Sequence, residues 1–198
     1  MSTIPITGAV DRPWILPSRG RVGMSALIVA ESAIFTIFVI AYIYNIGRSI
    51  SGPTPQQVLE VPIFATICLL SSSLTIWIAE RALHRSNMKM FGLWWLVTWV
   101  LGVIFLGGTA VEWRKLIYQD GLTIHTNLFG TTYYSLVGLH ASHVTVGLIG
   151  ILTVLILTLS GKVAVRHAER IGVFALYWHF VDAVWVVVFT VVYIVGRS

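Results

Sequence analysis

Five ionisable side chains lie inside otherwise apolar stretches of this 198-residue sequence: Glu31, His140, His143, His179 and Asp182. Carboxylates and imidazoles at membrane depth can pair with one another, carry protons or ligate metals. Each one opposes insertion into a bilayer by roughly 2.5–3.5 kcal/mol. About twenty apolar neighbours, at roughly −0.3 to −0.6 kcal/mol each, outweigh that cost. We therefore expect these stretches to enter a membrane and their polar side chains to find partners there.

The elements that must position these side chains are five apolar runs. The chain is 57% hydrophobic and 11% charged, whereas a soluble domain is about a quarter charged. A run of roughly 20 residues crosses a hydrocarbon core of about 30 Å. The runs are Val22–Tyr44, Val61–Ile78, Phe91–Val111, Leu128–Leu159 and Gly172–Val195. They predict an all-α fold, an integral membrane bundle of five transmembrane helices over residues 22–198, preceded by a tail of residues 1–21.

Basic residues divide unequally between the two ends of the predicted helices. One side holds Arg12, Arg19, Arg21, Arg81, Arg85, Lys89, Lys162, Arg166 and Arg170; the other holds Arg48, Arg114, Lys115 and Arg197. Because Lys and Arg concentrate in cytoplasmic loops, we predict a cytoplasmic N-terminus and tail and a C-terminus outside. The net charge of +5 reflects these short loops and gives no argument for a nucleic acid partner.

The five ionisable residues are predicted to meet near the bilayer centre. At a rise of about 1.5 Å per residue, Glu31, His143 and Asp182 fall within about one helical turn of the midpoints of three helices. Glu80 and Glu112 lie at span ends, where we expect solvated, interfacial carboxylates. We predict at least one hydrogen bond between helices among the five, and we expect Glu31 to retain its proton among aromatic neighbours.

The fourth run is predicted to have helix neighbours on two sides. At about 100° per residue, His140 and His143 share a face with Tyr133 and Gly147. Small residues lie roughly opposite, and such residues let helices approach closely in lipid. They are Thr131, Ser135, Gly138, Ser142 and Thr145.

The polar residues are consistent with more than one kind of chemistry: a metal or haem site, a structural polar network or a proton path. His140 and His143 lie too close on one helix to ligate opposite faces of one haem, and no HxxxH or carboxylate-bridged pattern accompanies them. No metal or haem is therefore expected in this chain. A structural polar network and a proton path both remain consistent with the pattern, because intramembrane acids and histidines serve in either.

Four stretches resemble subunit III of haem-copper terminal oxidases, the cytochrome c oxidases and related quinol oxidases. They are AESAIF around Glu31, LLSSSLTIWIAERAL, LFGTTYYSLVGLHASHVTVG and YWHFVDAVW. The third run also resembles the family pattern G-x-x-F-x-x-x-Q-x-x-E-[YW], although Thr109 replaces its glutamine. The family often carries a glutamate five residues before YWHFVD, where this chain has Gly172. The resemblance marks as packing residues Gly102, Glu112, Trp113, Gly130, Tyr177, Trp178 and Trp185.

The resemblance implies an accessory subunit of the five-helix bacterial form. Such a subunit holds no haem or copper and no catalytic residue. It packs on subunit I of the complex, together with subunit II and other small subunits, in the bacterial inner membrane. It also binds phospholipid and supports proton uptake in aerobic respiration. Arg81, Arg85 and Arg166 are candidates to contact lipid phosphate, because arginine pairs with phosphate through two parallel hydrogen bonds.

Two alternatives remain open from the residues. A homologue associated with nitric oxide reductase would resemble subunit III closely, and neighbouring genes would separate the two. A small transporter or proton channel is disfavoured because all six prolines lie outside the helix interiors, so that no proline-broken helix marks a transport site.

The charge distribution makes a testable prediction about topology. Loops 79–90 and 160–171 are expected in the cytoplasm, and loops 45–60 and 112–127 outside. A cysteine introduced at Ser86 in a Cys68-free chain should be protected from a membrane-impermeant thiol reagent added to intact cells. A cysteine at Gln119 is the matched position expected to react. Labelling at 86 with protection at 119 would reverse the predicted orientation.

Overall fold

A computed structural model describes residues 18–49 and 52–197. The helices are α1 (Arg19–Asn45), the single-turn α2 (Pro55–Val58), α3 (Ile63–His84), α4 (Met88–Tyr118), α5 (Leu128–Leu159) and α6 (Ala168–Phe189). A 3₁₀ turn, Val165–His167, precedes α6, and a π-helix, Thr190–Val195, extends it. Five helices are long and apolar enough to cross a membrane, and no β-strand occurs in the described ranges. The predicted all-α bundle of five transmembrane helices is confirmed; most of the predicted tail lies outside the described residues.

Several helices extend beyond the apolar runs that predicted them. Helix α3 ends later than its predicted run, and α4 is longer than its run at both ends, because these ends continue through polar residues at the interface. Between them, Ser86 adopts a left-handed backbone conformation (φ 60°), and the Asn87 N–H donates to the carbonyl of Ala82 at 2.9 Å. The Asn87 side chain then caps α4 by accepting from the backbone N–H of Met90 at 3.1 Å. This tight reversal places α3 and α4 side by side.

The central element of the bundle is α6, which packs against α1, α3 and α5. In the apolar part of the span Val165–Val195, which contains α6, 50% of the residues are buried, whereas in that of α1 only 11% are. Helix α1 therefore lies at the periphery. The largest side chains with almost no exposed surface are aromatic and cluster around α6. They include Trp95, Phe105, Tyr133, Trp178 and Trp185.

Glycines of α4 and α5 make room for the indole of Trp178. A Cβ atom at Gly147 would lie 2.7 Å from the Trp178 ring, and one at Gly102 would lie 3.0 Å from it. The indole cannot simply move away, because its Nε1–H donates to the Ser72 hydroxyl at 2.8 Å. Gly102 and Trp178 are thus packing residues for a specific reason: α4, α5 and α6 meet at this ring.

The small-residue face of α5 does not have the full helix cover that its composition predicted. At one end α4 covers it, since a Cβ at Gly138 would lie 3.4 Å from the Trp113 ring. Further along, Ser142 and Thr145 are exposed. Their hydroxyls donate to backbone carbonyls of their own helix, those of Leu139 at 2.6 Å and Ala141 at 2.8 Å. The helix does have neighbours on more than one side, since it contacts α1, α4 and α6, but no helix of the described chain covers that half of its small-residue face.

The packing of Trp178 makes a prediction about stability. Gly147→Ala should destabilise the chain by about 1–3 kcal/mol, because the added methyl overlaps a ring that is fixed by its hydrogen bond. Gly107→Ala is the matched control, since a Cβ at that exposed helical position meets nothing within 4 Å. Unfolding midpoints of both variants in detergent measure the difference. Equal midpoints would show that α5 moves away at little cost.

Candidate functional site: intramembrane polar clusters

The first polar cluster joins α1 to α5. Nε2 of His143 lies 3.1 Å from Oε2 of Glu31, and Nδ1 of the same ring lies 2.8 Å from the carbonyl oxygen of Leu139. Phe35 packs on the imidazole, with ring centroids 5.0 Å apart. The hydroxyl of Tyr177 donates to the His143 carbonyl at 3.1 Å and ties α6 to the same turn.

The hydrogen bonds of His143 limit where the protons of this pair can lie. A carbonyl oxygen only accepts, so Nδ1 carries a hydrogen and donates it to Leu139. Nε2 then either accepts from a protonated Glu31 or, as imidazolium, donates to the Glu31 carboxylate. The two arrangements contain the same protons and have no net charge. The pair therefore shares one proton without leaving an uncompensated charge at membrane depth.

The Glu31–His143 pair borders the surface of the bundle. The two side chains retain 22% and 15% of their accessible surface. They line a groove of about 240 Å³ whose other walls include Leu27, Ser142 and Tyr177. A group outside this chain, lipid or protein, can therefore approach the pair.

The second polar cluster joins α6 to α3 through Ser73. The Ser73 hydroxyl donates to Oδ2 of Asp182, and its oxygen lies 3.1 Å from Nδ1 of His179. Since the serine hydrogen goes to the carboxyl, the serine oxygen is left to accept from a protonated Nδ1. Asp182 is 3% exposed, whereas Ser73 and His179 each keep part of their surface exposed.

The YWHFVDAVW stretch makes hydrogen bonds along the serine-rich helix in antiparallel register. Trp178 bonds to Ser72, as described above, and the Trp185 Nε1–H donates to the hydroxyl of Thr66 at 3.2 Å. Ser73, next to Ser72, bonds to His179 and Asp182, which lie between the two tryptophans along α6. One polar face of α3 thus satisfies two indoles, an imidazole and one oxygen of a carboxyl group.

His140 is separate from both clusters. It is completely buried, and neither ring nitrogen has a hydrogen-bond partner among the described residues. Aromatic rings surround it: Trp185 at 5.0 Å between centroids, Phe105 at 5.9 Å and Phe35 at 6.4 Å. The structure thus brings together Glu31 with His143, and His179 with Asp182 through Ser73, and it leaves His140 among rings.

A third cluster surrounds Glu112, whose carboxylate was expected to be solvated. Its Oε1 accepts from the hydroxyl of Tyr193 at 2.8 Å and from that of Tyr133 at 3.2 Å. Tyr193 lies in the π-helix, where the N–H of Gly196 donates to the carbonyl of Val191 at 2.9 Å. The wider π turn changes the direction of the side chains that follow α6. The apolar pattern alone gave no signal for this turn or for Tyr193.

Each departure from the family pattern has a local structural counterpart. A Cβ at Gly172 would lie 3.1 Å from Oε1 of Glu80, so a carboxylate of α3 lies close to the α6 position at which the family pattern often has a glutamate. Thr109 donates to the Phe105 carbonyl of its own helix at 3.2 Å.

Other candidate residues lie at the ends of the helices. Lys115 donates a hydrogen bond to Glu60, and this cation lowers the pKa of the Glu60 carboxyl. Gly130 packs beneath the Thr123 carbonyl. Arg81 and Arg85 line one groove, whereas Arg166 donates to Nε2 of His167 at 3.4 Å.

In the described ranges, no three His, Cys, Asp or Glu side chains are arranged to hold a metal ion.

The fold and these clusters define a multi-pass helical membrane protein whose polar side chains mostly pair inside the bundle. The family model for cytochrome c oxidase subunit III matches residues 17–197. Cytochrome c oxidase subunit 3 of Alkalihalophilus pseudofirmus is 34% identical over 96% of this chain and 98% of the relative. Quinol oxidase subunit 3 of Bacillus spizizenii is 31% identical over 87% and 83%, respectively. The chain belongs to the cytochrome c oxidase subunit III family.

The shared proton of the first cluster makes a chemical prediction. A hydrophobic carbodiimide reacts with protonated carboxyl groups in apolar surroundings, and it should modify Glu31 before Glu80 or Glu112. The groove exposes Glu31, whereas Oε1 of Glu112 accepts hydrogen bonds from two tyrosine hydroxyls. Peptide mass spectrometry locates the adduct, and Glu31→Gln is the control that should abolish it. Faster modification of Glu80 or Glu112 would contradict the prediction.

Proposed function

We propose that this chain is the accessory, non-catalytic subunit III of a proton-pumping haem-copper oxidase in a bacterial inner membrane. It stabilises subunit I, contacts subunit II and other small subunits, binds phospholipid and supports proton uptake. Haem and copper belong to the partners. The observation that carries this proposal is the match to the subunit III family along nearly the whole chain.

The engagement of the histidines supports a role without cofactors in this chain. Both nitrogens of His143 and Nδ1 of His179 lie within hydrogen-bonding distance of polar atoms. His140 is enclosed by aromatic rings on three helices. Ligation of a haem iron or copper ion by His143 would require breaking one of its hydrogen bonds, and ligation by His140 would require opening the aromatic core.

The Glu31–His143 pair supports the proposed contribution to proton uptake. It holds one proton between two helices and lines a groove that a neighbouring subunit or a lipid can reach. A pair of this kind can stabilise a proton near a partner without being an obligatory step of the catalytic path. We therefore propose that the pair modulates the rate of turnover and is not an obligatory step in the transfer of protons to the catalytic subunit.

Purification of the whole complex tests this function. A tag on this chain should recover a haem-copper subunit with haem in a fixed ratio, and the chain expressed alone should show no haem absorbance. Glu31→Gln should still assemble and retain most oxygen consumption, with Glu80→Gln as the matched carboxyl-to-amide control. Complete loss of oxygen reduction in an assembled Glu31→Gln complex would make Glu31 an obligatory proton carrier. Recovery of the tagged chain without a haem protein would contradict the proposed function itself.

A further inference from the structure

A groove of about 440 Å³ lies beside the turn between α3 and α4, away from the three polar clusters. Because successive helices alternate in direction, this turn is on the same side of the bundle as the start of α1 and the α5–α6 loop. The residues that define the groove are Trp77, Arg81, Arg85, Asn87, Met90 and Trp94. Its walls thus combine two cations with two indoles.

The two arginines of the groove have no anionic partner in the described chain. The described ion pairs are Lys115–Glu60 and Glu31–His143, on other parts of the molecule. The guanidinium of Arg81 stacks over the Trp77 ring at 3.5 Å, which fixes its plane. Arg85 lies four residues further, directly after the end of α3. Two guanidinium groups at this spacing, one of them held by an indole, suit an anion with several oxygens.

The turn between α3 and α4 forms one end of the groove. The left-handed conformation of Ser86 brings the first turn of α4 against the end of α3, and both Asn87 and Met90 line the groove. The amino end of α4 carries partial positive charge, but the carboxyl end of α3 beside it carries partial negative charge, and the Met90 N–H is already bonded to Asn87. The preference of the groove for an anion therefore rests on the two arginines.

The deeper wall of the groove is apolar. Trp77 lies seven residues before the end of α3, and Trp94 six residues after the start of α4, which puts both about 10 Å towards the membrane centre at a rise of about 1.5 Å per residue. Trp77 is 42% exposed, as tryptophans at the membrane interface are. The buried Nε1–H of Trp94 has no acceptor among the described residues. An occupant must therefore be anionic at one end and apolar at the other.

We propose that this groove binds one anionic membrane phospholipid, with its phosphodiester between Arg81 and Arg85 and its glycerol region against Trp77 and Trp94. The inference rests on the phospholipid-binding part of the proposed function and assigns it a site. Arg166, the third candidate from the sequence, does not line this groove. Free phosphate has the same anionic chemistry but no part that would fill the apolar wall.

The test uses the intact complex in nanodiscs of phosphatidylglycerol or phosphatidylcholine, followed by native mass spectrometry of the retained lipid. The wild-type complex should retain one phosphatidylglycerol that the R81Q/R85Q double variant loses. The apparent affinity should fall about tenfold or more, because two charge-assisted contacts are removed. The matched control is K89Q/K162Q, which removes two cations from the same side outside the groove and should retain the lipid.

The same preparation separates failure of the lipid site from failure of the proposed oxidase function. Haem content of the same preparation reports assembly, whereas lipid mass reports the site. If the double variant does not assemble, the Arg85→Gln single variant should still weaken retention. Equal retention in wild type and arginine variants, or equal loss in the lysine control, would overturn the site. Displacement of the lipid by excess inorganic phosphate would show a free-anion site instead.

Discussion

Hydrogen bonding between α6 and α3 is the interaction on which the rest of the bundle depends. Hydrocarbon offers no water to satisfy a buried donor or acceptor, so buried polar side chains of α6 need partners on neighbouring helices. Of the Asp182 carboxyl, only Oδ2 has such a partner among the described residues. Ser72 and Ser73 accept from Trp178 and His179, and Ser73 donates to Asp182. Because side chains on α3 and α6 meet only in one antiparallel register, these bonds also fix the relative height of the two helices.

The packing of the remaining helices follows from that register. Once Ser72 holds the Trp178 indole, the ring fills the space between α4 and α5, where Gly102 and Gly147 leave room for it. About two turns further along α6, Trp185 packs against Phe105 of α4 and His140 of α5. An indole thus has two functions here, as a hydrogen-bond donor on one side and as a spacer between helices on the other. Substitution at the glycines disturbs the same contact as substitution at the serine.

The sequence predicted those features that depend on periodicity and depth. Five runs gave five membrane helices, and the common depth of Glu31 and His143 predicted a hydrogen bond that the structure contains. The sequence did not predict the uncharged partners of these ionisable residues. Ser73, which bonds to His179 and Asp182, is one of several serines in α3, and nothing in the pattern distinguishes it from the others. The tyrosines that bind Glu112 were missed for a related reason: a π turn aims Tyr193, and such a turn depends on tertiary contacts that apolar periodicity does not record. Hydrophobic pattern also could not tell whether the small-residue face of α5 meets a helix of this chain.

The different exposure of the clusters explains why α1 can remain peripheral. Asp182 is enclosed between α3 and α6, whereas Glu31 lies on the least buried helix and keeps part of its surface. A lone carboxylate at such a position would face hydrocarbon without compensation, and its helix would be poorly tolerated at the edge of the bundle. Because the His143 ring is already oriented by the Leu139 carbonyl, it offers Glu31 one partner that neutralises the pair in either position of the shared proton. The proton therefore stabilises the attachment of α1 to α5 and keeps the exposed side of the pair uncharged overall, which suits contact with lipid as well as with a neighbouring helix.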